Sequence, residues 1–163
     1  MSAMKQPEWN PRRSARENAR RELPPLAARY IADVRSALAK DPPPPKLHRL
    51  RLATKRIRYT LELFRPCYGK GMEQRLEALR KIQQQLGDTN DCVAAWDLLS
   101  KIMRSSVERT RMERYLDRRA KKQAAAFRAL WQEQFEAPGR EAWFIGFLKR
   151  PLPNAHPLVR RQK

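Results

Sequence analysis

Five polar side chains repeat at helical spacing between residues 47 and 64. His48, Arg51, Lys55, Arg58 and Glu62 stand at positions i, i+3, i+7, i+10 and i+14, which form one stripe on a helix. Guanidinium and ammonium groups bind phosphate oxygens, and such a row would follow a linear polyanion over about 15–20 Å. The same pattern also fits a solvated face, on which the aliphatic stems cover the helix. The spacing favours anion binding and leaves the second interpretation open.

The individual side chains indicate contact with an anion rather than catalysis. His48 has no Asp or Cys beside it to form a nucleophilic pair, so we expect it to donate a hydrogen bond to phosphate. Glu62 follows Arg58 by four residues and is predicted to orient it. Tyr59 is a single aromatic residue, whereas proteins that grip single-stranded nucleic acid interleave several aromatic residues with their cations.

These side chains lie on one predicted helix, which is bracketed by proline residues on both sides. Pro42–Pro45 precede it and Pro66 follows it. At about 100° per residue, one face of this helix is apolar, and a second apolar strip lies beyond the polar stripe. The first face comprises Leu47, Leu50, Thr54, Ile57, Leu61 and Phe64, and the second strip comprises Leu52, Tyr59 and Leu63. Cations between two apolar strips indicate a half-buried groove rather than an ordinary solvated surface.

Apolar periodicity predicts helices along the rest of the chain as well, and strand signals are almost absent. Pro24–Pro25 should break an N-terminal helix that Ser14 caps, and Gly87 should end another in the C-terminal glycine position. Asp88, Asn90 and Asp91 are then expected to cap the next helix at a tight turn, rather than to bind metal. The predicted helices cover residues 14–22, 26–40, 47–64, 72–86, 93–103, 107–135 and 140–149. Within residues 107–135 we expect the inward side chains to be Met112, Tyr115, Leu116, Phe127, Leu130 and Trp131.

The predicted fold is all-α, an antiparallel bundle of about four long helices with short terminal helices. Its 163 residues suffice for one domain with a proper core. We expect a flexible basic arm with a short helix at residues 1–24, the helical bundle at 25–150, and a tail rich in Pro and Arg at 151–163. Asp41 and the four prolines after it should form a stiff, extended connector.

The charge balance predicts a polyanionic partner. The chain has 36 Lys and Arg residues against 17 Asp and Glu, a formal net charge of +19. Nucleic acid, an anionic membrane surface and a phosphate polymer all fit this charge. No stretch is apolar enough for a transmembrane helix or a signal peptide, so we expect a cytoplasmic protein. Two cysteines without metal-ligand spacing predict no metal, and nothing in the sequence indicates a cofactor.

A second basic segment follows the same helical spacing further along the chain. We expect these cations to form either the opposite wall of the groove or an outer face, and the sequence does not distinguish the two. They are Arg111, Arg114, Arg118 and Lys122.

Two motifs together resemble the CHAD domain, the conserved histidine α-helical domain. The first, H-x-x-R-x-x-x-K-R-x-R-Y, runs from His48 to Tyr59, and the second, L-Q-x-x-L-G-D-x-N-D, is matched around residues 83–91 with an approximate glutamine placement. The resemblance implies two four-helix halves around a basic channel, binding of inorganic polyphosphate, and no catalysis by the domain itself. The basic positions that it carries over are His48, Arg51, Lys55, Arg56, Arg58 and Tyr59. Arg56 lies away from the stripe on a helical wheel, nearer Arg49, which is a further candidate.

The chain shows one histidine helix where the family has two. Either the groove is an open surface or two chains pair to rebuild the channel, and we expect a homodimer. The main hypothesis is a non-enzymatic polyphosphate-binding module, associated in the cell with polyphosphate granules. Nucleic-acid binding through the same surface is the alternative, although no recognition motif is evident. A phosphohydrolase is less expected, because the sequence has no clustered carboxylates for Mg²⁺ and no glycine-rich phosphate loop.

Overall fold

Five α-helices make up the part of the chain that the computed structural model describes, residues 7–40 and 42–153, and this part contains no strand. The predicted all-α fold is confirmed. A short 3₁₀ turn, Arg65–Cys67, follows the second helix, and a π-helical turn, Gln132–Glu136, follows the fourth. The helices are α1 (Ala15–Leu38), α2 (Pro44–Leu63), α3 (Lys70–Ile102), α4 (Val107–Trp131) and α5 (Arg140–Leu148).

Helix α3 is the central element of the bundle. It packs along α2 on one side and along α4 on another, while α1 packs against α2 and α5. The core contains the aromatic rings of Tyr30, Trp131 and Phe135, with the Trp131 and Phe135 ring centroids 4.5 Å apart. Arg75 of α3 is also buried, and its Nη1 donates to the carbonyl of Gln134 at 3.0 Å. Its burial lowers the pKa of this guanidinium.

Helix α1 continues through Pro24–Pro25, so the predicted break is wrong, and α1 crosses the boundary that we drew at residue 24. Proline inside a helix costs about 3 kcal/mol or more, because it removes a hydrogen bond and its ring meets the preceding turn. Burial offsets this cost here, because Leu23 and Leu26 on either side of the prolines are buried. The cap at Ser14 is confirmed, with Ser14 Oγ accepting from the backbone N–H of Glu17 at 3.2 Å.

Helix α3 likewise continues through Gly87, and the interhelical turn predicted there is wrong. Asp88, Asn90 and Asp91 lie inside the helix and cap nothing. An interior glycine costs only about 1 kcal/mol relative to alanine. Buried side chains before and after it, such as Leu86 and Cys92, hold the helix together.

Two further predictions on helix boundaries and orientation need correction. Pro44 and Pro45 form the first positions of α2 rather than part of an extended connector, since proline is compatible with a first helical turn. On α4, Phe127 and Trp131 are buried as predicted, but Met112 and Tyr115 are exposed, each with about half of its surface in solvent. In the described structure, the packing of the other helices leaves these two side chains open to solvent.

The N-terminal segment packs against the body from Pro7 onward. The Trp9 ring lies 4.9 Å from that of Phe64, and the backbone N–H of Asn10 donates to Asn18 Oδ1 at 3.0 Å. Residues 1–6 of the predicted arm, Asp41 of the connector and residues 154–163 of the predicted tail lie outside the described residues.

Candidate functional site

The apolar face predicted for α2 is confirmed and fixes the rotation of this helix. All six of its predicted side chains are buried, from Leu47 to Phe64. Thr54, the polar member, donates to the carbonyl of Leu50 at 2.8 Å and meets the Tyr30 hydroxyl at 2.9 Å. With this face turned to the core, the polar stripe lies along the edge of α2 that borders α3.

Three contacts pair the stripe with one face of α3. His48 Nδ1 lies 3.1 Å from Asn90 Oδ1, and Arg58 Nε donates to Gln83 Oε1 at 3.0 Å. Between them Arg51 lies against Gly87, where an added Cβ would stand 3.4 Å from Arg51 Nε. Residue numbers rise along α2 as they fall along α3, so the two helices are antiparallel.

These contacts between α2 and α3 give the second sequence motif, residues 83–91, a structural role. Gln83, Gly87 and Asn90 are spaced by four and three residues, so they share one face of α3. Two amides and a glycine thus support the stripe, and they add no negative charge beside its cations. This role was not predicted from the sequence, because the hydrogen bonds depend on the register between the two helices. The spacing of these three residues on an uninterrupted α3 was the signal that could have shown it.

Arg58 is a largely enclosed cation of the stripe. Its side chain is 12% exposed, and its guanidinium carbon lies 4.2 Å from the centroid of the Tyr59 ring. Its Nη1 donates to Glu62 Oε1 at 2.6 Å, which confirms the predicted pair. The same oxygen accepts from Arg80 Nη2 at 3.1 Å, a contact that the sequence analysis did not foresee. This bond to Glu62 raises the pKa of Arg80.

Arg51 has a buried donor without a hydrogen-bond partner among the described residues, as does Arg75 in the core. On Arg51 this donor is Nε, which no acceptor faces in the described part of the chain. A buried donor without a partner costs about 1–3 kcal/mol, so such atoms concentrate at sites with another purpose. Lys55 and His48 are exposed on the same edge, and the Lys55 ammonium lies 5.7 Å from the Tyr59 ring centroid.

The outer face of α2 separates the remaining predicted residues from the stripe. Leu52, Tyr59 and Leu63 are each about half exposed and form an apolar strip along the helix. Arg49 and Arg56 are also exposed, and the helical rotation places them beyond this strip. The structure thus brings together His48, Arg51, Lys55 and Arg58, and places Tyr59 at their rim.

The second basic segment lies on α4 and is separated from the stripe by α3. Each of these four cations is exposed, and α4 packs along α3 rather than along α2. This arrangement favours the outer face over the opposite wall of the groove. The four are Arg111, Arg114, Arg118 and Lys122.

The described residues contain no group of three or more His, Cys, Asp or Glu side chains that could hold a metal ion. None of the helices described is both long enough and apolar enough to span a bilayer.

Comparison with protein families gives a match to the first part of the chain. Residues 1–100 match the family model of the CHAD domain, and they include α1, α2 and all but the last two residues of α3. Comparison with curated proteins and with solved structures gave no match.

Proposed function

The chain belongs to the CHAD domain family, and from this we propose that it binds inorganic polyphosphate through the α2 stripe without turning it over. The family is related to polyphosphate in general. The observation that carries the proposal is the way in which the stripe is held. Gln83 and Asn90 contact Arg58 and His48 through neutral amides, and Arg51 Nε faces no acceptor among the described residues.

Electrostatics supports a linear, highly charged ligand. Arg51, Lys55 and Arg58 lie within two helical turns, so their like charges repel one another until an anion neutralises them. A phosphate polymer carries a charge on every unit and can follow the stripe. Its binding releases condensed counterions, so affinity should fall steeply with salt.

The chemistry of the stripe supports binding rather than catalysis. Its side chains are hydrogen-bond donors and cations, together with one carboxylate, Glu62. That carboxylate is engaged by both Arg58 and Arg80, so it is poorly suited to activate a water molecule. A phosphohydrolase remains testable by phosphate release in the presence of Mg²⁺ or Mn²⁺.

One contact disfavours the alternative, a nucleic-acid-binding protein. Tyr59 is the aromatic residue at the rim of the stripe, and one face of its ring is covered by the Arg58 guanidinium. A nucleobase would therefore compete with Arg58 for that face. Polyphosphate needs no stacking surface.

We propose in addition that two chains pair across the apolar strip of Leu52, Tyr59 and Leu63. The strip adjoins the cations, so a second copy placed there would cover apolar surface and close the groove over the ligand. Sedimentation equilibrium at micromolar concentration tests this, and a strictly monomeric mass would rule it out. We place the protein in the cytoplasm, in association with polyphosphate granules.

The binding test is a competition experiment with labelled long-chain polyphosphate at about 150 mM salt. The Arg51→Gln/Arg58→Gln variant should bind about tenfold more weakly than the wild type, because two phosphate contacts are lost. Arg20→Gln/Arg21→Gln is the matched control, since both arginines are exposed on α1 and the change in charge is the same. Duplex DNA and RNA of equal charge should compete poorly. Equal competition by them, with no effect of the stripe variant, would overturn the proposal.

A further inference from the structure

Helix α4 carries a second row of cations that the proposed α2 site does not use. They occupy positions i, i+3, i+7 and i+11, so the row extends over about 16 Å at 1.5 Å per residue. All four side chains are exposed, and none contacts a carboxylate within the described structure. The row consists of Arg111, Arg114, Arg118 and Lys122.

The carboxylates within the span of this row are engaged elsewhere. Glu113 accepts from Arg109 Nε at 2.8 Å, and Asp117 lies 2.8 Å from the Lys121 ammonium. Both pairs are of the i, i+4 type; the Glu113 pair lies on the far side of α4, and the Asp117 pair flanks the row with its charge neutralised by Lys121. The positive charge of the row is therefore not balanced along its own helix.

A surface cavity of about 500 Å³ lies at the C-terminal half of the row. Arg118, Lys122 and Gln123 line it and offer guanidinium, ammonium and amide donors. Arg119 lines it too and donates from Nη1 to the Tyr115 hydroxyl at 3.1 Å, which holds both side chains at its wall. A water molecule occupies about 30 Å³ of liquid, so the cavity has room for several phosphate groups.

Helix α3 keeps this surface apart from the α2 stripe. Helix α4 packs along α3 rather than along α2, and the face of α4 that shares a cavity with Pro44 and Leu47 of α2 carries Ala120 and Ala124, not the row. The intervening helix carries Asp88 and Asp91, and the Asp88 carboxylate is close enough to act on the charge of Arg119. Negative charge between the two rows disfavours an anion that lies across α3.

We propose that the α4 row and its cavity form a second, independent site for a segment of phosphate polymer. The choice of ligand rests on the proposed function, whereas the existence of the site rests on the geometry of α4. With two such sites, one long polymer could bind both sites of one protein molecule, or could link two protein molecules. A short polymer fills each site separately.

Isothermal titration with short-chain polyphosphate at about 50 mM salt counts the sites. The wild type should bind two polymers per chain. Arg118→Gln/Lys122→Gln should bind one, Arg51→Gln/Arg58→Gln should bind one, and the combined variant should bind none. The Arg20→Gln/Arg21→Gln control should still bind two. All changed side chains of α4 and α1 are exposed, and circular dichroism verifies that each variant is folded.

The outcomes separate this inference from the proposed function. If the α4 variant still binds as many polymers as the wild type, the second site does not exist, whatever the α2 variant does. If only the α4 variant loses a polymer, the inference holds and the α2 site fails. If the α1 control loses binding as much as the α4 variant does, the attraction is a general effect of net charge and the inference is overturned.

Discussion

Gly87 of α3 lies against Arg51 of α2, so closely that a Cβ at position 87 would stand 3.4 Å from Arg51 Nε. The glycine is inside a helix, where it costs up to about 1 kcal/mol relative to alanine. Its place is explained by the neighbour rather than by a turn. The small residue lets a guanidinium lie in the groove between the two helices.

Small and large replacements of Gly87 should therefore act differently, the small one on stability and the large one on binding. Gly87→Ala adds a methyl group at an ordinary contact distance and should raise the free energy of unfolding by up to about 1 kcal/mol with little loss of binding. Gly87→Leu should displace Arg51 and weaken polyphosphate binding about fivefold, equivalent to ~1 kcal/mol. Urea unfolding and competition binding measure the two effects. A folded Gly87→Leu variant that binds like the wild type would show that Arg51 does not need this position.

The negative charge of Glu62 should weaken the binding of an anionic ligand, although its carboxylate also orients Arg58. Glu62→Gln keeps a hydrogen-bond acceptor for Arg58 but removes the negative charge beside the stripe. We expect polyphosphate to bind about two- to fivefold more tightly at about 50 mM salt, with a smaller gain at about 200 mM. Glu77→Gln is the control, because Glu77 also contacts Arg80 but not Arg58. Weaker binding by Glu62→Gln would mean that orientation of Arg58 outweighs charge.

The parts of the fold that follow from local sequence were predictable. The rotation of α2 follows from six apolar positions at helical spacing. The pair between Arg58 and Glu62 follows from their spacing on one helix. Each of these features needs only the residues of its own segment.

The wrong predictions concern features that depend on tertiary packing rather than on local sequence signals. Pro24–Pro25 and Gly87 ordinarily end helices, but α1 and α3 bury side chains on both sides of them. The contacts of Gln83 and Asn90 with the stripe could not be read from the sequence, because they depend on how α2 and α3 are aligned. Apolar spacing predicted Met112 and Tyr115 to point inward, but both are exposed. Such spacing shows which side chains share a face of a helix, and it does not show whether another helix covers that face.

The capping box of α1 should make stability depend on pH in the acid range. Glu17 accepts a hydrogen bond from the Ser14 backbone N–H at 2.8 Å and another from Ser14 Oγ at 2.8 Å. These bonds lower the pKa of Glu17 below its ordinary value of 4.5. A lowered pKa means that the carboxylate stabilises the folded state above about pH 4.5, and that this contribution is lost as pH falls through the lowered pKa.

The comparison of the wild type with Glu17→Gln isolates this effect, since glutamine can still accept a bond from Ser14. The difference in melting temperature should be constant from neutral pH down to about pH 5 and should shrink below pH 4.5. Ser14→Ala should cost about 1 kcal/mol at neutral pH, because it removes the cap itself. A difference between wild type and Glu17→Gln that is the same at pH 3 and pH 7 would contradict the assignment.

The buried hydrogen bond between Tyr30 and Thr54 predicts an asymmetry between two conservative substitutions. Thr54 Oγ1 donates its one hydrogen to the Leu50 carbonyl at 2.8 Å, so the Tyr30 hydroxyl, 2.9 Å away, must be the donor between them. Both side chains are fully buried, and burial raises the pKa of Tyr30. Tyr30→Phe removes a donor and leaves Thr54 bonded to Leu50, at a cost of about 1 kcal/mol. Thr54→Val preserves shape but leaves a buried hydroxyl without an acceptor, which should cost up to about 3 kcal/mol.

The double variant Tyr30→Phe/Thr54→Val should be less destabilised than the sum of the two single variants. Once the tyrosine hydroxyl is gone, the loss of its acceptor carries no further penalty, so the two substitutions are coupled. Urea unfolding of the wild type and the three variants gives the coupling energy directly. Polyphosphate binding serves as the control, because Tyr30 and Thr54 face the core and the α2 stripe should keep its affinity. Additive costs, or a larger cost for Tyr30→Phe than for Thr54→Val, would show that the Tyr30 hydroxyl is not the donor.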